Sequence, residues 1–288
     1  ILVLVNSLAE NRFASYISEI LDTEGFFCRD TFDAGRNDLT GSLLEKYPLV
    51  ILSNMPLSEK EKELLRSYAA NGGRLIALRP DKALADIFGV VPDQFFIREG
   101  YITFNPADRR TAGLHEASLQ FHGKGDMYKN GGAEIIAWFS GVYGEKTIFP
   151  AIFTASPGKG KTAAFAYDLA LSTVLFHQGV KEHASNGSVP DADGDAAYKA
   201  NDLFFGYLDE RLKNVPQADV HQDVLVNLIN EFLPHPAPRV WHFSGAAPGA
   251  AFIDGDSDGM APEALDTVIR ISEACGAKYT LYLMTKDF

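Results

Sequence analysis

The chain has 288 residues, 46% of them hydrophobic and 22% charged, which is the profile of a folded globular protein long enough for one large domain or two ordinary ones. Its net charge of −12 repels nucleic acid phosphates and anionic membrane surfaces, and no lysine or arginine run interrupts that field. No apolar stretch approaches the ~20 residues a membrane-spanning helix needs, so neither nucleic acid nor membrane is an expected partner. The two cysteines, Cys28 and Cys275, lie far apart in sequence and are expected to be buried thiols. The chain opens on Ile1 rather than Met, as after removal of a leader or in a sequence trimmed from a longer one, which leaves localisation open between the cell interior and the periplasm or exterior.

Ile1 to Val5 is a continuous apolar run, suited to a strand buried on both faces. Phe13, Ile17, Ile20 and Leu21 follow at helical spacing, and Gly25 closes that helix. Phe26 to Cys28 reads as a second strand and Leu49 to Leu52 as a third. Ser58-Glu59-Lys60-Glu61 is a capping box that opens a helix ending at Asn71-Gly72-Gly73. Arg74 to Leu78 is then a strand, and Asp81 caps a short helix through Phe88. Strands alternating with helices across short turns predict a parallel sheet covered on both faces, an α/β fold.

The texture changes near Phe95. Phe96 to Phe104, Ser118 to Met127, Glu134 to Phe139, Thr147 to Phe153 and Thr162 to Tyr167 read as strands between glycine-rich turns, a β-rich extension of the α/β core. Residues 181–199 are polar and read as an exposed loop. Val220, Val224, Leu228 and Phe232 mark an amphipathic helix. Pro234, Pro236 and Pro238 then make a stiff connector, which divides the chain into residues 1–233, a linker at 234–238, and residues 239–288. Beyond it, Gly249 to Ile253 reads as a strand, Pro262 to Cys275 as a helix and Lys278 to Met284 as a strand. A single βαβ unit cannot bury both faces of its strands, so it either docks on the first domain or opens a (β/α) barrel. The second is the expectation.

Tyr47-Pro48-Leu49-Val50-Ile51-Leu52, Leu57-Ser58 and its helix, and Asn71-Gly72-Gly73-Arg74-Leu75-Ile76-Ala77-Leu78 together resemble the class I glutamine amidotransferase-like superfamily, whose domain is flavodoxin-like. They are most similar to its non-catalytic members beside carbohydrate-active domains, such as the trimerisation domain of some β-galactosidases. The turn Gly158-Lys159-Gly160 leading into Ala163-Ala164-Phe165-Ala166-Tyr167-Asp168-Leu169 fits the same pattern, and the resemblance covers about residues 1 to 180. It implies an assembly of identical chains. Active amidotransferases place a cysteine on a sharp strand-to-helix turn. Here Cys28 falls in the second predicted strand and Cys275 in the last predicted helix, while Asn54-Met55-Pro56 offers no attacking group, so no amidotransferase activity is expected.

The last fifty residues resemble the opening of the polysaccharide deacetylases, metal-dependent (β/α) barrels whose first strand ends in paired aspartates. In Ile253-Asp254-Gly255-Asp256-Ser257-Asp258-Gly259 the resemblance makes Asp254 the general base and Asp256 a ligand of a divalent metal such as zinc, with Asp258 beside it. Sliding the register by one aspartate makes Asp256 the base and puts Ser257 at the ligand position. Lys278 to Leu283 fits the family's second strand. The family adds two histidines after its third strand, and the seven histidines here include no pair at i, i+4. The resemblance implies hydrolysis of an acetyl group on a glycan, with a metal activating water and an aspartate taking its proton.

Each motif also has a plainer reading. Three carboxylates at 254, 256 and 258 are equally an incidental cation site or a solvated acidic turn. They do not make an EF-hand, because position 12 would be Leu265 and no helix precedes them. Asp191 to Asp195 reads as a surface turn rather than a calcium loop. Gly158-Lys159-Gly160-Lys161-Thr162 reads as a hairpin turn rather than a phosphate loop, since strand-like residues follow it. His177-Gln178-Gly179 is a helix C-terminus. Trp138 and Trp241 are core residues by default and sugar platforms otherwise. The function expected is glycan deacetylation with an inert accessory domain. Its rivals are a sugar-binding or oligomerisation module without catalysis, and a hydrolase built around Asp168 and His177.

Overall fold

A computed structural model describes residues 1–180, 203–204, 206–240, 243, 245, 247, 251–257 and 259–282. The chain divides into two compact units, Ile1–Val240 and Trp241–Phe288. No described helix is long and apolar enough to cross a membrane.

The first unit is a mixed α/β structure around one large sheet. Its first half contains β1 (Leu2–Val5), α1 (Tyr16–Thr23), β2 (Asp30–Asp33), α2 (Gly41–Leu44), β3 (Val50–Leu52), α3 (Glu59–Ala70) and β4 (Arg74–Leu78). The second half adds β5 (Val90–Phe104), β6 (Leu119–Asn130), β7 (Glu134–Ser140), β8 (Lys146–Ala155), β9 (Lys161–Phe165), α4 (Leu169–Gln178) and α5 (Gln217–Phe232). The nine strands run in the order β2-β1-β3-β4-β9-β8-β7-β5-β6. From β2 to β9 the neighbours are parallel, and from β9 to β6 they are antiparallel.

The apolar runs account for the centre. All four residues of β1 and all three of β3 are buried, as a strand covered on both faces requires. The capping box of α3 forms as its residues dictate: Glu61 N–H donates to Ser58 Oγ at 3.3 Å, and Ser58 N–H donates to Glu61 Oε2 at 2.7 Å. Helix α1 follows a 3-10 turn over Arg12–Ser15, and the chain then reverses at Gly25, φ +78°. Gly158 and Gly160 form the β8–β9 hairpin turn, pressed so closely on α3 that a Cβ at Gly160 would lie 2.1 Å from Ala69 O.

Two expectations are corrected. The second strand is not Phe26 to Cys28 but Asp30–Asp33, paired parallel to β1 with Leu2 opposite Asp30. It is the sheet's edge, half exposed and therefore polar, and an apolar pattern cannot reveal it. Phe26 instead turns into the core, while Arg29 pairs with Asp22 at 2.7 Å. With the strand displaced, Cys28 is exposed, and so is Cys275, the C-cap of its helix; neither is a buried thiol. Both thiols in the folded chain should therefore react with a disulfide reagent nearly as fast as a small free thiol. A lag that tracks global unfolding would contradict the exposure of these two sites.

The β5–β6 ribbon curls back over the sheet. Asp126 N–H donates to Ala166 O at 2.8 Å, and Gly125 bridges Tyr167, just beyond β9. The C-terminal ends of the parallel strands and the face of β6 are thereby brought together. The segment after α5 is tied down too: Arg239 donates to Glu24 O at 2.8 Å, and Val240 N–H to Gly25 O at 3.1 Å.

In the second unit, β10 (Asp254–Asp256) pairs parallel with β11 (Thr280–Tyr282), and α6 (Pro262–Ala274) connects them. The strand expected over Gly249 to Ile253 is displaced. Ala251, Phe252 and Ile253 lie outside any strand, and residues 249 and 250 are outside the described residues. Phe252 is 75% exposed, so no packed layer holds that apolar run in a sheet. The exposed loop expected over 181–199 also lies outside the described residues.

Candidate functional site

Open α/β sheets place their chemistry in the crevice outside the carboxyl ends of the parallel strands. Here that edge is organised around Asp168, which is 2% exposed. Its Oδ1 accepts from Leu171 N–H at 3.2 Å and so caps α4. Its Oδ2 accepts from Asn11 Nδ2 at 2.9 Å and Asn54 Nδ2 at 3.0 Å, and Asn11 Nδ2 also donates to Asn54 O at 2.8 Å. One carboxylate thus ties together the loops that follow β1, β3 and β9. His177 sits nine residues further on at the other end of α4, roughly 14 Å away at 1.5 Å per residue. The pairing of Asp168 with His177 is not formed.

The sharp turn from β4 into the following 3-10 helix carries Arg79 at φ +47°. Left-handed backbone at a residue with a Cβ costs of order 1 kcal/mol or more and persists where its surroundings over-determine it. Arg79 N–H donates to Phe165 O at 2.8 Å, and its Nε donates to Asp126 Oδ2 at 2.8 Å. Lys82 and Lys124 approach the other carboxylate oxygen at 3.7 and 3.8 Å. The turn therefore presents a guanidinium paired with a buried carboxylate, not a thiol or hydroxyl.

The second left-handed residue with a side chain is Glu99, φ +46°, at an irregularity of the β5–β6 ribbon. Irregularities of this kind re-aim side chains. Glu99 Oε1 accepts Gly123 N–H at 2.6 Å, and Oε2 meets His122 Nδ1 at 2.7 Å. The His122 ring stacks on Tyr207 at 4.0 Å and meets the edge of Phe176 at 4.4 Å. A carboxylate orienting an imidazole is half of a general-base arrangement. The other half is missing, because His122 Nε2 is buried without a hydrogen-bond partner among the described residues. Nearby, Tyr167 O–H donates to His221 Nδ1 at 2.6 Å and His221 Nε2 lies 2.8 Å from Gln120 O. Arg79, Glu99, His122 and His221 were not singled out from the sequence. The one available signal was Gly123, a glycine inside a strand run next to His122.

Asp254 and Asp256, two residues apart on β10, lie on the same face of that strand, and both are exposed. Asp256 ends β10 opposite Tyr282, and Asp254 begins it opposite Thr280. Asp258 lies outside the described residues, as do Asp191 to Asp195 and Trp241. Among the described residues no group of three or more His, Cys, Asp or Glu side chains is placed to hold a metal ion. Two carboxylates fall short of the three protein ligands of a catalytic zinc site, and the chemistry of such a metal cannot be derived from them. Trp138 is half-buried and covered by Lys146, whose Nζ is 4.4 Å from the ring centroid.

No protein-family model matches the chain, and no curated protein matches it. Among solved structures, a cold-adapted β-galactosidase from Rahnella sp. R3 is similar over 57% of this chain at 15% identity, TM-score 0.45. An exo-β-1,4-mannosidase from Opitutaceae bacterium strain TAV5 is similar over 62% at 12% identity, TM-score 0.44. A cytoplasmic protein of Salmonella typhimurium LT2 is similar over 58% at 16% identity, TM-score 0.44, with 88% of its own length covered. The chain spans 28% of the length of the β-galactosidase and 33% of the mannosidase.

Proposed function

We propose that residues 1–233 are a non-catalytic, flavodoxin-like accessory module of a carbohydrate-processing protein, assembling with copies of itself and associated with a glycan. The flavodoxin-like part is the parallel run β2-β1-β3-β4-β9, whose order is 2-1-3-4-5 when the parallel strands alone are counted. One observation carries the non-catalytic half. The strained turn that leads from β4 into the following helix holds Arg79 bonded to Asp126, and no attacking thiol. The carbohydrate half rests on the sequence resemblances.

A second reading applies to residues 239–288, as the opening of a metal-dependent glycan deacetylase. It is favoured by the shared face of Asp254 and Asp256 on a strand paired parallel with its neighbour across one helix. Asp254 is the proposed base, and Asp256 and Asp258 are proposed ligands of a divalent metal, with further ligands still required.

One experiment separates the two. The whole chain is assayed for release of acetate from an acetylated oligosaccharide with added zinc, alongside binding of the same oligosaccharide. The module reading expects binding without release. Release that falls roughly 10²–10⁴-fold in Asp254→Asn and is lost in Asp256→Asn would replace it with the deacetylase. Release unaffected by either substitution would exclude these residues as its source.

A further inference from the structure

At the opposite edge of the sheet, where the parallel strands begin, a cavity of about 430 Å³ opens between the end of α3, the end of α2 and the first residue of β4. That volume lies within the usual range of small-molecule sites. Lys46, Tyr47, Leu64, Ser67, Tyr68 and Arg74 line it.

Its electrostatics differ from the rest of the molecule. The chain carries a net charge of −12, and most of its cations are spent on carboxylates. Neither Lys46 nor Arg74 forms an ion pair among the described residues. The one carboxylate in the wall, Glu45, forms none either, which leaves a surplus of one positive charge in the cavity. A partly sheltered guanidinium without a carboxylate gains a charge-assisted, bidentate partner from an anionic ligand.

The remaining wall is built for a ring. Tyr68 is 8% exposed and fixed by its hydroxyl, which donates to Tyr47 O at 2.9 Å. Gly73 allows that seat, because a Cβ there would stand 2.5 Å from the Tyr68 ring. Tyr47, whose hydroxyl donates to Asp30 Oδ2 at 2.8 Å, is likewise held in place. The half-buried Tyr47 and Leu64, backed by buried Tyr68, suit the apolar face of a pyranose, and the Ser67 hydroxyl and Asn71 amide suit its hydroxyl groups.

We propose that this cavity binds a hexuronate, a single pyranose ring bearing a carboxylate, with Arg74 on the carboxylate and Lys46 beside it. The proposal rests on the carbohydrate-associated reading and assigns that function a site and a ligand class. Calorimetry of the whole chain with glucuronate, glucose and acetate tests it. Glucuronate should bind at least tenfold more tightly than glucose or acetate, because only it offers both ring and charge. Arg74→Ala should weaken glucuronate roughly tenfold or more, the worth of one charged hydrogen bond. Lys46→Ala, an exposed position that folding does not depend on, should weaken it several-fold, and Lys213→Ala should leave it unchanged. Glucose binding as tightly as glucuronate, or Arg74→Ala and Lys46→Ala both binding like the wild type, would overturn the proposal. Binding of neutral or acetylated oligosaccharides without glucuronate would overturn this site while leaving the accessory-module reading standing. Glucuronate binding that depends on Arg74 supports the site whether or not the chain also releases acetate.

Discussion

Asp168→Ala should lower the stability of the first unit by about 3 kcal/mol, shown as a drop of roughly 6–12 °C in melting temperature for a domain of this size. The loss has two sources. Removing the cap leaves the Leu171 N–H without its acceptor, worth about 1 kcal/mol. Removing Oδ2 strands the side-chain amide of Asn54 and leaves Asn11 Nδ2 only its bond to Asn54 O, and a partly buried donor left unpaired costs about 1–3 kcal/mol before relaxation. Asp168→Asn separates the two. Its carbonyl oxygen can keep the cap on α4, but its amide then faces two other amides where Oδ2 accepted both. It should fall between the wild type and Asp168→Ala. Denaturant titrations give the comparison. An Asp168→Ala midpoint within experimental error of the wild type, at unchanged slope, would mean that the loops after β1, β3 and β9 are held by something else.

Much of this unit is legible in the sequence because its information is local. Val50 to Leu52 and Leu75 to Leu78 are apolar on both faces because both faces are covered, so a bare run of Val, Ile, Leu and Ala suffices to place them. Ser58 and Glu61 announce the start of α3 because the bonds they make span only three residues. Strand β2 is hidden for the complementary reason. An edge strand with half its surface in water has no hydrophobic signature, and its position is set by pairing with Leu2 to Val5 some 28 positions away in register. Cys28 then moves from an expected core position to the surface.

The candidate site is less legible, since its bonds are nearly all long-range. Asp168 reads locally as a helix cap, which it is, but nothing near it in sequence identifies Asn11 and Asn54 as its other donors. Arg79 lies in a strand-turn-helix segment without glycine, where left-handed backbone is not expected. It adopts that backbone because Asp126, brought over the sheet by the curl of the β5–β6 ribbon, holds its guanidinium. Likewise, Glu99 and His122 meet only because each strand of that ribbon departs from regular register at the same place. In the second unit the apolar run Phe252-Ile253 reads as strand, yet pairing extends only as far as Thr280 to Tyr282 provide a partner.

Acid should destabilise the first unit in a window set by one histidine. His221 on α5 is fully buried, and burial pushes its imidazole down from 6.5 to about 4. The network explains how it is held neutral. Tyr167, whose own hydroxyl burial keeps protonated, donates to Nδ1 at 2.6 Å, and the proton on Nε2 goes to Gln120 O at 2.8 Å. A proton added to Nδ1 would set two donors against each other in a fully buried site. Because the folded value lies below the unfolded one, the unfolded chain binds more protons between them. Stability contributed by neutral His221 is therefore complete above about pH 6.5 and is lost as the pH falls toward about 4, by about 3 kcal/mol in all. The carboxylates held low by Arg29, Arg110 and Arg211, namely Asp22, Asp108 and Asp209, lose their contributions further down, below the ordinary carboxylate range. Asp223, whose carboxyl burial raises, acts in the opposite sense in the lower part of the window. His221→Gln keeps a donor and an acceptor of similar reach but cannot take up the proton. It should cost about 1–2 kcal/mol near neutrality and flatten the stability profile between about pH 6.5 and 4.5. Parallel profiles for the wild type and His221→Gln across that interval would show that the acid sensitivity originates elsewhere.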